Sequence, residues 1–182
     1  MEYTHVTHTF GPVFDVHAEL LILGSFPSVK SRENNFYYGH PQNRFWKVLS
    51  GVYHSEVPVT IEEKKAFLLK NHLAVWDVIA DCAIVGSSDS SIRDVTANDM
   101  SLILGQANIR RIFANGGTAY RLFLKYCKKD GQPEVCKLPS TSPANASFSL
   151  ERLIRVWRKA LFPEEAEPVE TDAGVRSGAW VL

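Results

Sequence analysis

Cysteine is scarce in this chain. Its three thiols, Cys82, Cys127 and Cys136, stand far apart with no C-x-x-C pair. That spacing argues against a disulfide scaffold, structural zinc and iron–sulfur ligation. All three therefore read as buried free thiols, and neither metal nor cofactor is expected. The only closely spaced histidines, His5 and His8, lie near the chain start and are assigned no ligand role. No apolar run approaches the roughly 18 to 20 residues that a membrane span needs. The opening Met1-Glu2-Tyr3-Thr4 lacks the charged and apolar regions of a secretory signal. A cytoplasmic protein without a membrane partner is the expectation. Net charge is missing as well, since 20 Lys and Arg balance 20 Asp and Glu. The balance is uneven along the chain. From Pro163 onward five acids accompany one base, Arg176, so residues 1–162 hold 19 basic and 15 acidic side chains, a net +4. That excess is compatible with phosphate contact without demanding it. Nor is there a G-x-S-x-G elbow, a G-x-G-x-x-G fingerprint or a G-x-x-x-x-G-K phosphate loop.

What the chain does have is strand alternating with helix. The apolar run Leu20 to Leu23 stops at Gly24-Ser25-Phe26-Pro27-Ser28, which reads as a buried strand opening into a loop. Pro41 suits a first helical turn, and Phe45, Val48, Leu49 and Val52 then recur at helical spacing. Thr60-Ile61-Glu62-Glu63 has the capping-box pattern of a second helix. Ala74 to Ile79 reads as a second strand, followed by the polar loop Gly86 to Ser91. Asn98 is placed to cap a helix through Leu102, Ile103 and Leu104. Ile109 to Ala114 and Val135 to Leu138 complete the strands, with a helix over Ala119 to Tyr126 between them. Leu150, Leu153, Ile154, Trp157 and Leu161 line one face of a last helix.

This order predicts an α/β fold, a three-layer αβα sandwich around a four-stranded parallel sheet. Residues 1–162 would form one domain and residues 163–182 an acidic tail. In such sheets ligands bind beyond the carboxyl ends of the strands. Here those ends lead into Gly24 to Ser28, Asp77 onward, Asn115 to Gly117 and Pro139 to Asn145. They bring amides, hydroxyls and rings, groups that stack on a planar heterocycle and bond its polar edge.

The stretch His40-Pro41-Gln42-Asn43-Arg44-Phe45-Trp46-Lys47-Val48, after Gly24-Ser25-Phe26-Pro27-Ser28, resembles the uracil-DNA glycosylase superfamily on its mismatch-specific branch. Pro139-Ser140-Thr141-Ser142-Pro143-Ala144-Asn145 resembles the superfamily's second motif, which enters the minor groove. Taken together, the loops are most similar to the hypoxanthine-DNA glycosylase family, over roughly residues 18 to 162. The resemblance implies a monofunctional DNA glycosylase of base-excision repair. Such an enzyme flips a deaminated base, hypoxanthine first, out of double-stranded DNA and hydrolyses its N-glycosidic bond. It implies a monomer in a bacterial or archaeal cytoplasm.

The resemblance also implies site roles. Phe26 stands where the mismatch-specific branch has its water-activating Asn, and a phenyl ring cannot orient water. Asn43 would then supply the catalytic amide. Gly24, Ser25, Phe26, Tyr38 and Asn115 would hold the base, with Tyr38 stacking on it. Ser140, Thr141, Ser142, Pro143, Ala144 and Asn145 would contact DNA, and the last three would fill the vacated stack. Competing readings stay open: Asn43 as a loop brace, Tyr38 and Phe26 as core rings, Asn115 as a turn residue, and Asp77 and Asp89 either as orienters of water or base or as cap or loop acids. At the level of function the alternatives are uracil excision from G:U mismatches, a nucleic-acid binder that has lost catalysis, and a nucleotide-processing protein unrelated to DNA.

Overall fold

The structure, a computed structural model, describes residues 2–165. The acidic segment predicted from Pro163 therefore falls outside it beyond Glu165. Four strands, β2 (Leu20–Gly24), β3 (Leu73–Asp77), β6 (Arg111–Asn115) and β7 (Val135–Leu138), form a parallel sheet in the order β3-β2-β6-β7. β2 and β3 are buried along their whole length, as parallel strands covered on both faces must be. Flanking helices are α1 (Val29–Asn34), α2 (Phe45–Val52), α3 (Ile61–Lys70), α4 (Ser101–Leu104), α5 (Gly117–Tyr126) and α6 (Leu150–Leu161).

A second sheet was not foreseen. β1 (Thr4–Thr7), β4 (Ile79–Ile84) and β5 (Arg93–Ala97) pair antiparallel in the order β1-β4-β5. The expected strand through Ile79 is in fact two strands that part at Val78. There Val78 N–H donates to Gly24 O at 2.9 Å and Ile79 N–H to Ser25 O at 3.1 Å. β1 and β5 are short and mostly exposed or half-buried, so they carry little hydrophobic pattern.

Local chemistry explains most helix ends. Thr60 and Glu63 form the expected capping box at α3. Ser149 caps α6 by accepting from Arg152 N–H at 3.2 Å. At α4 the expectation fails: Asn98 instead donates to Asp77 O at 2.9 Å, and Asp99 accepts from Ser101 N–H at 3.0 Å. Pro41 is likewise outside the helix, in a turn before α2. α6 buries Leu153, Trp157 and Leu161. Trp157 Nε1–H also donates to Pro139 O at 3.0 Å, which ties the last helix to the start of the 139–145 loop.

Cys82 and Cys127 are buried, and burial pushes both thiols up to about 11. Cys136 is exposed, contrary to the sequence reading, because its side chain turns outward from β7. Among the described residues no helix is long and apolar enough to cross a membrane.

Candidate active site

Register sets the site. Gly24 pairs with Asp77, Leu23 with Ala114, and Asn115 with Leu138, so the strand ends Gly24, Asp77, Asn115 and Leu138 lie along one rim of the sheet. A cavity of about 960 Å³ opens there. Gly24, Ser25, Phe26, Tyr38, Asn43, Asn115, Ser140, Thr141, Ser142, Ala144 and Asn145 all line it. Pro143 alone of the predicted site residues does not; it sits exposed at the loop tip beside Ala144.

Asn43 lies just before α2 and not in its first turn. Its Oδ1 accepts from Phe45 N–H at 3.0 Å and from Thr141 Oγ1–H at 2.9 Å. A backbone N–H can only donate, so the oxygen of this carboxamide is fixed and the NH2 end is left over. Nδ2 makes no hydrogen bond among the described residues. Asn43 is thus a brace through its oxygen and a free donor through its nitrogen.

Thr141 is fully buried and joins the two halves of the site. Asn115 Nδ2 donates to Thr141 Oγ1 at 2.9 Å, and Asn115 Oδ1 accepts from Thr141 N–H at 3.0 Å. Asn115 is therefore spent largely on holding the loop. Asn145 behaves similarly, donating to Ser140 O at 3.0 Å. Ser140 Oγ accepts from Ser142 N–H at 3.1 Å. Gly116, at φ +96°, passes so near Ser140 that a Cβ would stand 3.1 Å from Ser140 Cβ. The positive φ calls for glycine, and the close Ser140 leaves little room for a side chain.

The aromatic wall comes from the segment between α1 and α2. The Tyr38 ring stacks on Phe45 with centroids 3.8 Å apart and planes 16° from parallel. One ring face is thus covered, while the half-buried residue still borders the cavity. Its hydroxyl oxygen is buried without a hydrogen-bond partner among the described residues. Burial first, then the Asp77 carboxylate, push that hydroxyl far above the usual phenol range, with Asn115 acting the other way. Phe26 is buried, meets His8 edge-on at 6.1 Å and carries the Arg32 guanidinium 5.7 Å from its centroid. It serves as wall and core at once. Asp89, in the exposed 86–91 loop, turns its carboxylate to Ser25, whose Oγ–H donates to both oxygens at 3.0 and 2.9 Å. Crowding into the cleft raises the Asp89 carboxyl; the Ser25 bond lowers it, and the Asp77 charge raises it again.

The family model described as the Uracil DNA glycosylase superfamily matches residues 12–161. The chain belongs to that superfamily. Two proteins named hypoxanthine DNA glycosylase are similar to it. The Methanosarcina acetivorans protein is 35% identical over 144 residues, 79% of this chain and 90% of that protein. The Methanosarcina barkeri protein is 33% identical over 109 residues, 59% of this chain and 69% of that one. A solution NMR structure of a uracil DNA glycosylase candidate from Methanosarcina acetivorans superposes with a TM-score of 0.66. It is 33% identical and covers 82% of this chain and 94% of that one.

Two residues of this superfamily member escaped the sequence reading. Arg44 sits inside the most specific string of the chain, yet no role followed from it. Its guanidinium donates to Ser142 O and Asn145 O at 3.0 Å each, to Thr141 O at 3.4 Å, and to Phe148 O. A five-donor planar fork beside a loop with many free carbonyls was the available signal. His8, set aside as a residue near the chain start, is buried against Asp77 at 2.8 Å. No local signal announces it, since only the pairing of β1 with β4 carries it to the rim.

Proposed function

We propose that this superfamily member is a monofunctional DNA glycosylase that draws a deaminated base, hypoxanthine foremost, out of double-stranded DNA and hydrolyses its N-glycosidic bond. The observation that carries the reading is the Asn43 carboxamide, fixed through its oxygen by two donors and left with a free N–H donor in a cavity walled by Tyr38 and Phe26. In the reaction the water oxygen bonds C1′ as the C1′–N9 bond breaks. The bonding pair departs with the purine, which gains one proton as the attacking water loses one. Negative charge therefore grows on the leaving base, and a preorganised donor in a closed site stabilises that change. Asn43 is such a donor, and with Nδ2 carrying hydrogens it does not act as a base.

The remaining parts fit an extruded nucleotide. Tyr38, stacked on Phe45 and bordering the cavity, is the ring assigned to stack on the base. Ser140 and Ser142 sit on the loop nearest the flanking phosphates. Exposed Pro143 and Ala144 form a small apolar tip suited to the vacated stack. We place the enzyme in the cytoplasm as a monomer needing no cofactor. The two glycosylase relatives are named for hypoxanthine, which puts that base ahead of uracil. Uracil opposite guanine is the second substrate, because it presents a similar carbonyl and N–H. Duplexes carrying hypoxanthine or uracil, incubated with the protein and then treated with alkali, test the reading. Strand breaks at hypoxanthine are expected. Intact strands of both kinds would refute it.

A further inference from the structure

Hydrolysis needs a group that takes a proton from water, and the cavity offers few. The Asn43 carboxamide, with both its bonds on oxygen and hydrogens on nitrogen, is not one. Phe26 has no accepting atom. His40 borders the cavity, but its Nδ1 accepts from Gln42 N–H at 3.1 Å, so Nε2 carries the hydrogen. Two carboxylates remain among the described residues of the lining, Asp77 and Asp89. Asp77 is 5% exposed in its side chain and bonded to His8 at 2.8 Å, so it lies deep. Asp89 is exposed and stands at the mouth. A base drawn from the duplex stays tethered by its phosphates, so its ring goes deep and its C1′ remains near the mouth.

The 86–91 loop is built to hold Asp89 there. Ser91 Oγ accepts from Val85 N–H at 2.9 Å and donates to Ser88 O at 2.7 Å, which closes the loop on itself. Ser87 Oγ accepts from Val29 N–H at 2.9 Å at the start of α1, and Arg32 donates to Gly86 O at 3.4 Å. Asp89 then opens a single 3-10 turn with both carboxylate oxygens on one hydroxyl, that of Ser25. One hydrogen shared by two oxygens leaves each with lone pairs to spare. Besides the Asp77 charge, the Arg121 guanidinium of α5 acts on this carboxyl, and acts to lower it. The Tyr38 hydroxyl and the Cys82 thiol of β4 also feel its charge, and burial keeps both neutral at pH 7.

We propose that Asp89 is the general base of this reaction: its carboxylate, held by Ser25, orients the attacking water and takes its proton as the water oxygen bonds C1′. The proposal rests on the glycosylase reading above and adds the residue that handles the water. The C1′–N9 pair leaves with the purine, which draws its proton from solvent, and Asp89 afterwards returns its own proton to solvent. Asn43 and Asp89 then divide the work, one on the leaving base and one on the nucleophile. A carboxylate beside C1′ also favours the positive charge that grows on the sugar.

The test follows single-turnover release of hypoxanthine from duplex DNA across pH. Binding of a duplex that holds the cleavage-resistant 2′-fluoroarabino analogue of the nucleotide is read separately. In the unaltered protein the rate should fall about tenfold per pH unit once pH drops below the value of the Asp89 carboxyl. This arm needs no variant to fold. Asp89→Asn keeps an oxygen for Ser25 but cannot take a proton. Its rate at pH 7 should fall by about 100-fold or more, the acid limb should disappear, and analogue binding should stay within about threefold. A rate within about threefold of the unaltered protein overturns this inference and leaves the glycosylase reading intact. So does an acid limb that survives the substitution, or a flat profile in the unaltered protein between about pH 4.5 and 8. Binding that falls as far as the rate makes Asp89 a loop brace and overturns it too. No release of any base by the unaltered protein at any pH overturns both.

Discussion

Arg44 and Thr141, 97 positions apart, are joined twice: Arg44 N–H donates to Thr141 O at 3.1 Å and Arg44 Nε–H to the same oxygen at 3.4 Å. With its other nitrogens on Ser142, Asn145 and Phe148, Arg44 holds the second loop by its backbone carbonyls and draws on none of the loop's side chains. Arg44→Lys keeps the charge but loses the planar fork. We expect base release to fall about tenfold or more and limited proteolysis to open the 139–148 segment. Unchanged rate and protection would show that the clamp is dispensable.

Tyr38→Phe should separate ring from hydroxyl. The hydroxyl is buried near the Asn115 amide, whose nitrogen is already bonded to Thr141 and makes no well-formed bond to it, so its removal should stabilise the fold by about 1 kcal/mol in urea unfolding. The stack on Phe45 is kept, and base release should change less than about threefold. A destabilised variant would mean that the hydroxyl has a partner after all.

The parallel sheet, the capping box at Thr60 and the apolar face of α6 were legible because each rests on local pattern. So were the strand-end loops, and hence most of the cavity lining. The β1-β4-β5 sheet was not, since its outer strands are short and carry few buried residues. His8 was lost with it. Asn43 reads from the sequence as part of the first helical turn, yet it stands just ahead of the N-cap Arg44 and accepts from the N–H two residues on. The dual use of Asn43, brace by oxygen and donor by nitrogen, cannot be seen in a sequence, because Thr141 and the Phe45 amide must first be in place. The two bonds on its oxygen are the contacts that the competing bracing reading needs.

Asp89 gives a pH signature. Its carboxyl is raised in the folded chain, so the folded state binds a proton more readily than the unfolded one. Its effect on stability then grows more favourable as pH falls through the folded value toward the unfolded one, and is unfavourable above both. Asp89→Asn should raise the melting temperature at pH 7, and the gain should shrink on acidification. An equal gain at every pH would assign it to something other than this proton.

The exposed tip can be tested apart from the chemistry. With Pro143 and Ala144 both changed to Gly, the fluorescence rise of a 2-aminopurine duplex that reports flipping should drop about tenfold. Binding to undamaged duplex, dominated by phosphate contact, should shift by less than about threefold. Equal losses in both would make the tip a general DNA contact and not a wedge.

Asn43→Asp bears most directly on the central claim that a free carboxamide N–H drives base loss. The carboxylate still accepts from Phe45 N–H and Thr141 Oγ1–H, so the brace survives, while the donor facing the cavity becomes an acceptor. Single-turnover release of hypoxanthine from duplex DNA should fall by at least about 100-fold, with the melting temperature close to that of the unaltered protein. A rate within about twofold of the unaltered protein would leave Asn43 a brace alone and contradict the account.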